Sequence, residues 1–133
     1  MLDALALAGV LLAGLYFVGL AAAALAAPAR AARFLLGFAG SASAHCTELA
    51  LRLAVGCAFI LRSPRMPFEL AFAIFGWVIV ATTAALFLVP WQWHRHFAQW
   101  AVPHALRHLR LVGLASLVLG GFVLACAGIG NAA

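Results

Sequence analysis

Four apolar stretches, Ala4 to Ala27, Leu49 to Leu61, Phe68 to Val89 and Leu111 to Ile129, dominate this chain, and its charges gather mostly between them. Eleven of the 133 residues are Arg, Asp or Glu, and none is Lys. Runs of this length with no water-facing side cannot be kept soluble as amphipathic helices, so they are expected to cross a bilayer. The apolar share of 68% and the mean hydropathy of +1.14 lie far above those of a soluble domain. A spanning helix uses about 20 residues, so four spans and their connections consume nearly the whole chain. The expected fold is therefore all-α: an integral membrane four-helix bundle forming a single domain. Spans are expected over about 4–27, 43–62, 67–89 and 106–129, with interfacial segments over about 28–42 and 90–105.

The first stretch ends in small residues, Ala21 to Ala27, as a signal peptide would. Three features predict a retained helix instead. Its start is acidic (Asp3), its apolar run is longer than a signal core, and further spans follow. Gly9, Gly14 and Gly19 offer thin places where another helix can come close.

The second span carries both charge signs. Glu48 and Arg52 stand four apart with the acid first, the favourable order for a pair on one helix face. Ionisable groups inside a span are functional candidates by default, yet depth decides their meaning. At headgroup level the two are an ordinary structural pair; further in, Glu48 could bind a proton or cation while Arg52 holds an anionic headgroup or a quinone-like carbonyl. Ala50, Ala54 and Ala58 add a small-residue stripe suited to helix packing.

Pro64 and Pro67 end the second helix, and Pro67 suits the first turn of the third. Glu69 then falls in that first turn, where the helix dipole favours a negative charge, and it completes the set of candidate ligand-binding residues. Pro90 closes the third span.

The segment Trp91 to Arg110 alternates aromatics with bases, a mixture suited to the membrane–water boundary. Trp91, Trp93 and Trp100 are expected at headgroup level, with Arg33, Arg95, Arg107 and Arg110 reaching lipid phosphates. An interfacial helix from about Trp91 to Ala101 is expected, with Pro103 restarting the chain as the last span. A tether this short between spans argues against nucleic acid as the partner.

The halves of the chain also align. A shift of 62 places Pro28 on Pro90, Arg33 on Arg95, Phe38 on Trp100 and Ala39 on Ala101; a four-residue gap then brings Leu51-Arg52-Leu53 onto Leu109-Arg110-Leu111. Each half reads as helix, Pro, amphipathic connector and helix, the pattern of a tandem duplication about an axis along the membrane normal.

The second half, Pro90-Trp-Gln-Trp-His-Arg-His-Phe97 followed by Leu109-Arg-Leu-Val-Gly113 and a Gly-containing apolar helix, resembles the small two-span YjeT-like bacterial membrane proteins. The four-span layout as a whole is similar to the DoxX group. These resemblances imply a small bacterial inner-membrane protein and supply no catalytic residues.

Orientation is read from Arg. The first and third connections carry Arg30, Arg33, Arg95, Arg107 and Arg110, against Arg62 and Arg65 in the second, so the positive-inside rule places the former in the cytoplasm and both termini outside.

His45, His94, His96, His104 and His108 fall on that same side. His104 and His108, four apart on one helix face, could bind a metal with His45 as a third ligand. Alternatively, His45 opposite His104 or His108 could hold haem, or all five are headgroup-level anchors. The main expectation is no cofactor. With three carboxylates and no nucleophile–base motif, an enzyme is not expected. The leading reading is a non-enzymatic membrane protein binding another membrane component: a protein partner, an anionic lipid or its own copy. A small carrier using Glu48 and Arg52, and a haem or quinone redox anchor, are the alternatives.

Overall fold

Prolines and apolar runs divide the chain as their chemistry requires. The structure, a computed structural model, describes residues 1–37 and 41–132, and side chains throughout those ranges except Leu36, His94, Val102, Ala105 and Leu106. It contains α1 (Leu2–Ala26), α2 (Pro28–Gly37), α3 (Ala42–Arg62), a 3-10 turn (Ser63–Arg65), α4 (Glu69–Phe87), α5 (Trp91–Arg107) and α6 (Leu109–Ala132). Among the described residues there is no strand. Helices α1, α3, α4 and α6 are long and apolar enough to cross a membrane, and this all-α bundle is that of a multi-pass membrane protein. The short helices α2 and α5 join spans at the same end, where they touch each other.

Local chemistry sets most helix ends. Ser41 accepts a hydrogen bond from the Ala44 backbone N–H at 3.1 Å and caps α3, which satisfies one of the donors a helix start leaves open. Two boundaries differ from expectation. Helix α4 starts at Glu69 and not at Pro67, because Phe68 holds the left-handed conformation at φ 63° and ψ 44° while its ring packs 5.8 Å from that of Phe122. Pro103 does not restart the chain: it lies inside α5, and the break comes at His108. A proline inside a helix leaves the carbonyl four residues back without a donor, and here that residue is the exposed Gln99.

The spans pair across the halves of the chain. Helix α1 packs chiefly on α6 and α3 on α4, with a further contact between α1 and α3. Each main contact closes on two glycines. A Cβ on Gly120 would lie 2.8 Å from the Gly14 carbonyl, and one on Gly76 would lie 2.8 Å from the Gly56 carbonyl. Exchanging α1 with α4 and α3 with α6 turns one contact into the other, the relation expected of a two-fold axis along the membrane normal.

Burial gives the register of this repeat. The buried residues Val10, Gly14 and Ala21 of α1 match the buried Phe72, Gly76 and Thr83 of α4 at an offset of 62, the offset read from the sequence. Helices α3 and α6 match at 64: Leu49 with Gly113, Gly56 with Gly120, Phe59 with Val123 and Arg62 with Cys126, all buried. The four-residue gap that aligned Arg52 with Arg110 is therefore wrong, and Arg52 corresponds to Ser116. Register in a bundle follows the face that packs, whereas a charge near a helix start is free to move along the surface. The expected matches of Phe38 and Ala39 lie outside the described residues.

Aromatic rings fill the space between spans towards the end bearing the termini. Phe59 stacks on Phe72 at 5.9 Å and meets Phe75 edge-on at 5.1 Å, and Phe122 stacks on Phe72 at 5.7 Å. The alanine stripe on α3 is not the packing face: Ala50 and Ala54 are exposed and only Ala58 is buried, lying against Gly9 of α1. The glycine at 56 allows α4 closer than alanine does, and that approach turns Leu49, Gly56 and Phe59 inward.

Candidate functional site

The seam between α3 and α4 contains the pair singled out in the sequence. Glu48 Oε1 lies 3.6 Å from Arg52 Nη1, one helical turn apart. Across the seam, Arg52 Nε donates to Thr83 Oγ1 at 3.2 Å and Nη2 to Thr82 Oγ1 at 3.4 Å. Both hydroxyls have already given their protons to their own helix, Thr82 to Val78 O and Thr83 to Ile79 O, each at 2.7 Å. They can therefore only accept from Arg52, which fixes the direction of every bond in the group. Thr83 is fully buried, while the side chains of Arg52 and Glu48 remain 38% and 21% exposed. Tyr16 of α1 lies within electrostatic reach of Glu48.

Depth separates this pair from an ordinary helix-start pair. Arg52 is the midpoint of α3, roughly 15 Å from either end at 1.5 Å per residue. Helical side chains point back towards the N-terminus, so the guanidinium rises towards the α2–α5 end while its stem stays among apolar residues. The charged head thus stands beside the C-terminal turns of α4, where Thr83 lies four residues, roughly 6 Å, before the last residue of that helix.

Glu69 does not join this group. With Gly56 opposite Gly76, Glu69 lies seven residues to one side of the crossing and Arg52 four residues to the other, a separation of roughly 16 Å along the axis. The topology of antiparallel spans, not the sequence spacing, sets that distance.

The aromatic and basic residues of the Trp91–Arg110 segment lie at the α2–α5 end. Helix α5 presents three faces, roughly 120° apart on a helix of 3.6 residues per turn. Trp91, Ala98 and Ala101 are partly buried; Gln92, Arg95 and Gln99 are exposed on a polar face; Trp93, Phe97, Trp100 and His104 form an exposed aromatic stripe. Arg95 lies over the Trp91 ring at 5.9 Å from its centroid. Arg33, Arg107 and Arg110 are exposed at the same end.

His45 is buried in the first turns of α3 on the packing face, one turn before Leu49. His104 is exposed, with Nδ1 2.8 Å from the Trp100 carbonyl and its ring 4.8 Å from the Trp100 ring. His108 occupies the break between α5 and α6, so His104 and His108 do not share one helix face, because Pro103 fails to start a new helix. Among the described residues no three His, Cys, Asp or Glu side chains gather to hold a metal.

At the opposite end lies a cluster that sequence reasoning passed over. Arg62, with 1% of its surface exposed, donates through Nη1 to both Asp3 oxygens at 2.7 and 2.8 Å, and through Nη2 to the Gly130 carbonyl at 3.2 Å. Arg65 donates to the same Asp3 carboxylate. One guanidinium so ties the start of α1, the end of α3 and the end of α6. A Cβ on Gly130 would overlap the Arg65 carbonyl, which is why the closure needs glycine. The available signal was topological: with four spans, Asp3, Arg62 and Arg65 must share a membrane face.

No protein-family model matches this sequence, and no curated protein or solved structure matches it.

Proposed function

We propose that this chain is a non-enzymatic integral membrane protein of a bacterial inner membrane that binds another membrane component at the charged seam between α3 and α4. In this reading the arginine-rich end faces the cytoplasm and both termini face the periplasm. The observation that carries the proposal is the inequality of two equivalent seams. The repeat register maps Glu48, Arg52, Thr82 and Thr83 onto Val112, Ser116, Leu20 and Ala21 of the α6–α1 seam. That seam closes on the same kind of glycine contact without a single charge. Packing therefore does not require the ions. An arginine within a span carries an insertion cost, largest at the helix centre and smaller where the side chain reaches towards an end, that closure of the seam does not explain. The absence of a nucleophile–base pair from the seam's own residues supports a binding role over catalysis.

Native mass spectrometry of the full chain from gentle detergent tests this. The wild type is expected to carry a bound lipid, a second copy or a protein partner, which Arg52→Ala and Glu48→Ala lose while retaining helical circular dichroism. A variant of the uncharged seam, Ser116→Ala, is expected to keep it. An Arg52→Ala protein that carries the same adducts as the wild type sinks the proposal.

A further inference from the structure

The seam admits two kinds of ligand on its residues alone, a cation at Glu48 or an anion at Arg52, and the distribution of charge over the fold decides between them. The end bearing the termini holds Arg62, Arg65, Asp3 and Glu69, two of each sign. Arg30, Arg33, Arg52, Arg95, Arg107 and Arg110 all belong to the other end, with Glu48 as the sole carboxylate there, so the whole net charge of +5 lies at the end towards which the seam opens. Such a field repels a cation approaching Glu48 and draws an anion towards Arg52.

We infer that the ligand is an anionic phospholipid whose phosphate is held by Arg52. This inference rests on the seam being a binding site, as proposed above, and adds the chemistry of what it binds. Three features support a phosphate on a lipid. The guanidinium's two hydrogen bonds are long, at 3.2 and 3.4 Å, and the Glu48 carboxylate at 3.6 Å is an ion pair beyond hydrogen-bond reach; three of its five N–H groups are therefore left to donate to a phosphate. Thr82 and Thr83 hold the group in place without competing for its outer face, since their protons are already committed to Val78 and Ile79. The head lies beside the last turns of α4 and the side chain is 38% exposed, so a phosphate at that end of the bundle has access to it. Leu51, next to Arg52, and Val78, one turn before Thr82, are exposed and offer apolar surface for the acyl chains of that lipid.

The test uses the purified full chain in mild detergent, titrated with phosphatidylglycerol or phosphatidylcholine of identical acyl chains and read by native mass spectrometry. The wild type is expected to retain phosphatidylglycerol about tenfold more strongly, the scale of one charge-assisted bidentate contact. Arg52→Gln is expected to bring the two lipids to parity, and Arg52→Lys to keep part of the preference. Arg30→Gln removes an equal charge from the same end outside the seam and is expected to leave most of it. Should Arg52→Gln fail to fold, Thr83→Val, which keeps the shape and removes the hydroxyl that positions Nε, is expected to lower the preference by a smaller factor. Inorganic phosphate in excess is expected to leave the lipid bound. The inference is overturned by parity in the wild type, by an undiminished preference in Arg52→Gln, or by displacement with inorganic phosphate, which assigns the site to a free anion. If Arg52 variants instead release a neutral lipid or a protein, the binding seam stands and the anionic lipid falls; if they change neither experiment, both fall.

Discussion

Asp3→Asn is expected to lower the thermal unfolding midpoint in detergent more than neutralising any other charge in this chain. The reason is the burial of Arg62. Its guanidinium is sealed between α1, α3 and α6, and Nε has no partner among the described residues. Without the Asp3 carboxylate it would face only the Gly130 carbonyl and the Asn131 side chain, a cation in the interior with no counter-charge. Removing the partner of a buried charge leaves that charge uncompensated, so Asp3→Asn is expected to destabilise more than Arg62→Ala, which leaves only the half-exposed Asp3 carboxylate with Arg65 still beside it. Replacing such a pair by apolar groups is often neutral, so the double variant Asp3→Asn/Arg62→Met is expected to recover much of the loss. Arg65→Gln removes the exposed partner and is expected to shift the midpoint little. Far-ultraviolet circular dichroism during heating measures all four; an Asp3→Asn midpoint equal to that of Arg65→Gln would show that the cluster is not a clasp.

The second large effect is expected at the glycine crossings. A Cβ on Gly76 would lie 2.8 Å from the Gly56 carbonyl and from Ile60 Cγ1, and 3.0 Å from the Ile60 nitrogen. Two of those three atoms are backbone, which cannot turn aside, so the helices must separate. Gly76→Ala is expected to cost about 1–3 kcal/mol, the usual range for overpacking, and Gly76→Leu more. Gly120→Ala, which meets the Gly14 carbonyl at 2.8 Å, is expected to behave like Gly76→Ala, because the two crossings are equivalent in the repeat. Gly19 and Gly121 have nothing within 4 Å of an added Cβ; alanine there is expected to be neutral or stabilising, since glycine is the poorer helix former by about 1 kcal/mol. Equal melting of Gly76→Ala and Gly19→Ala would contradict the crossing. Because Gly56 and Gly76 also set the distance between Arg52 and Thr83, Gly76→Ala is expected to weaken lipid retention as well.

The candidate site was half legible. Glu48 and Arg52 were visible as opposite charges at helical spacing inside a span, a local pattern needing no knowledge of neighbours. Their partners were not. Thr82 and Thr83 lie about 30 residues away in sequence, and only the antiparallel crossing at Gly56 and Gly76 brings them opposite Arg52. The same crossing removes Glu69 from the group. The histidines show the converse error: spacing suggested that His104 and His108 share a face, while Pro103 remained within its helix and moved the break to His108.

What the sequence determined by itself was the solvent, the number of spans, the connectors at one end and the offset of 62 between α1 and α4. Each follows from transfer energies and proline chemistry summed along the chain, which act residue by residue. Tertiary structure alone decided which faces pack, and with them the offset of 64 between α3 and α6, the match of Arg52 to Ser116 and the clasp of Arg62 on Asp3. In a span that is apolar all round, no hydrophobic stripe marks the buried face. Close packing chooses it instead, through contacts between residues far apart in the chain, such as Gly14 with Gly120 and Gly56 with Gly76.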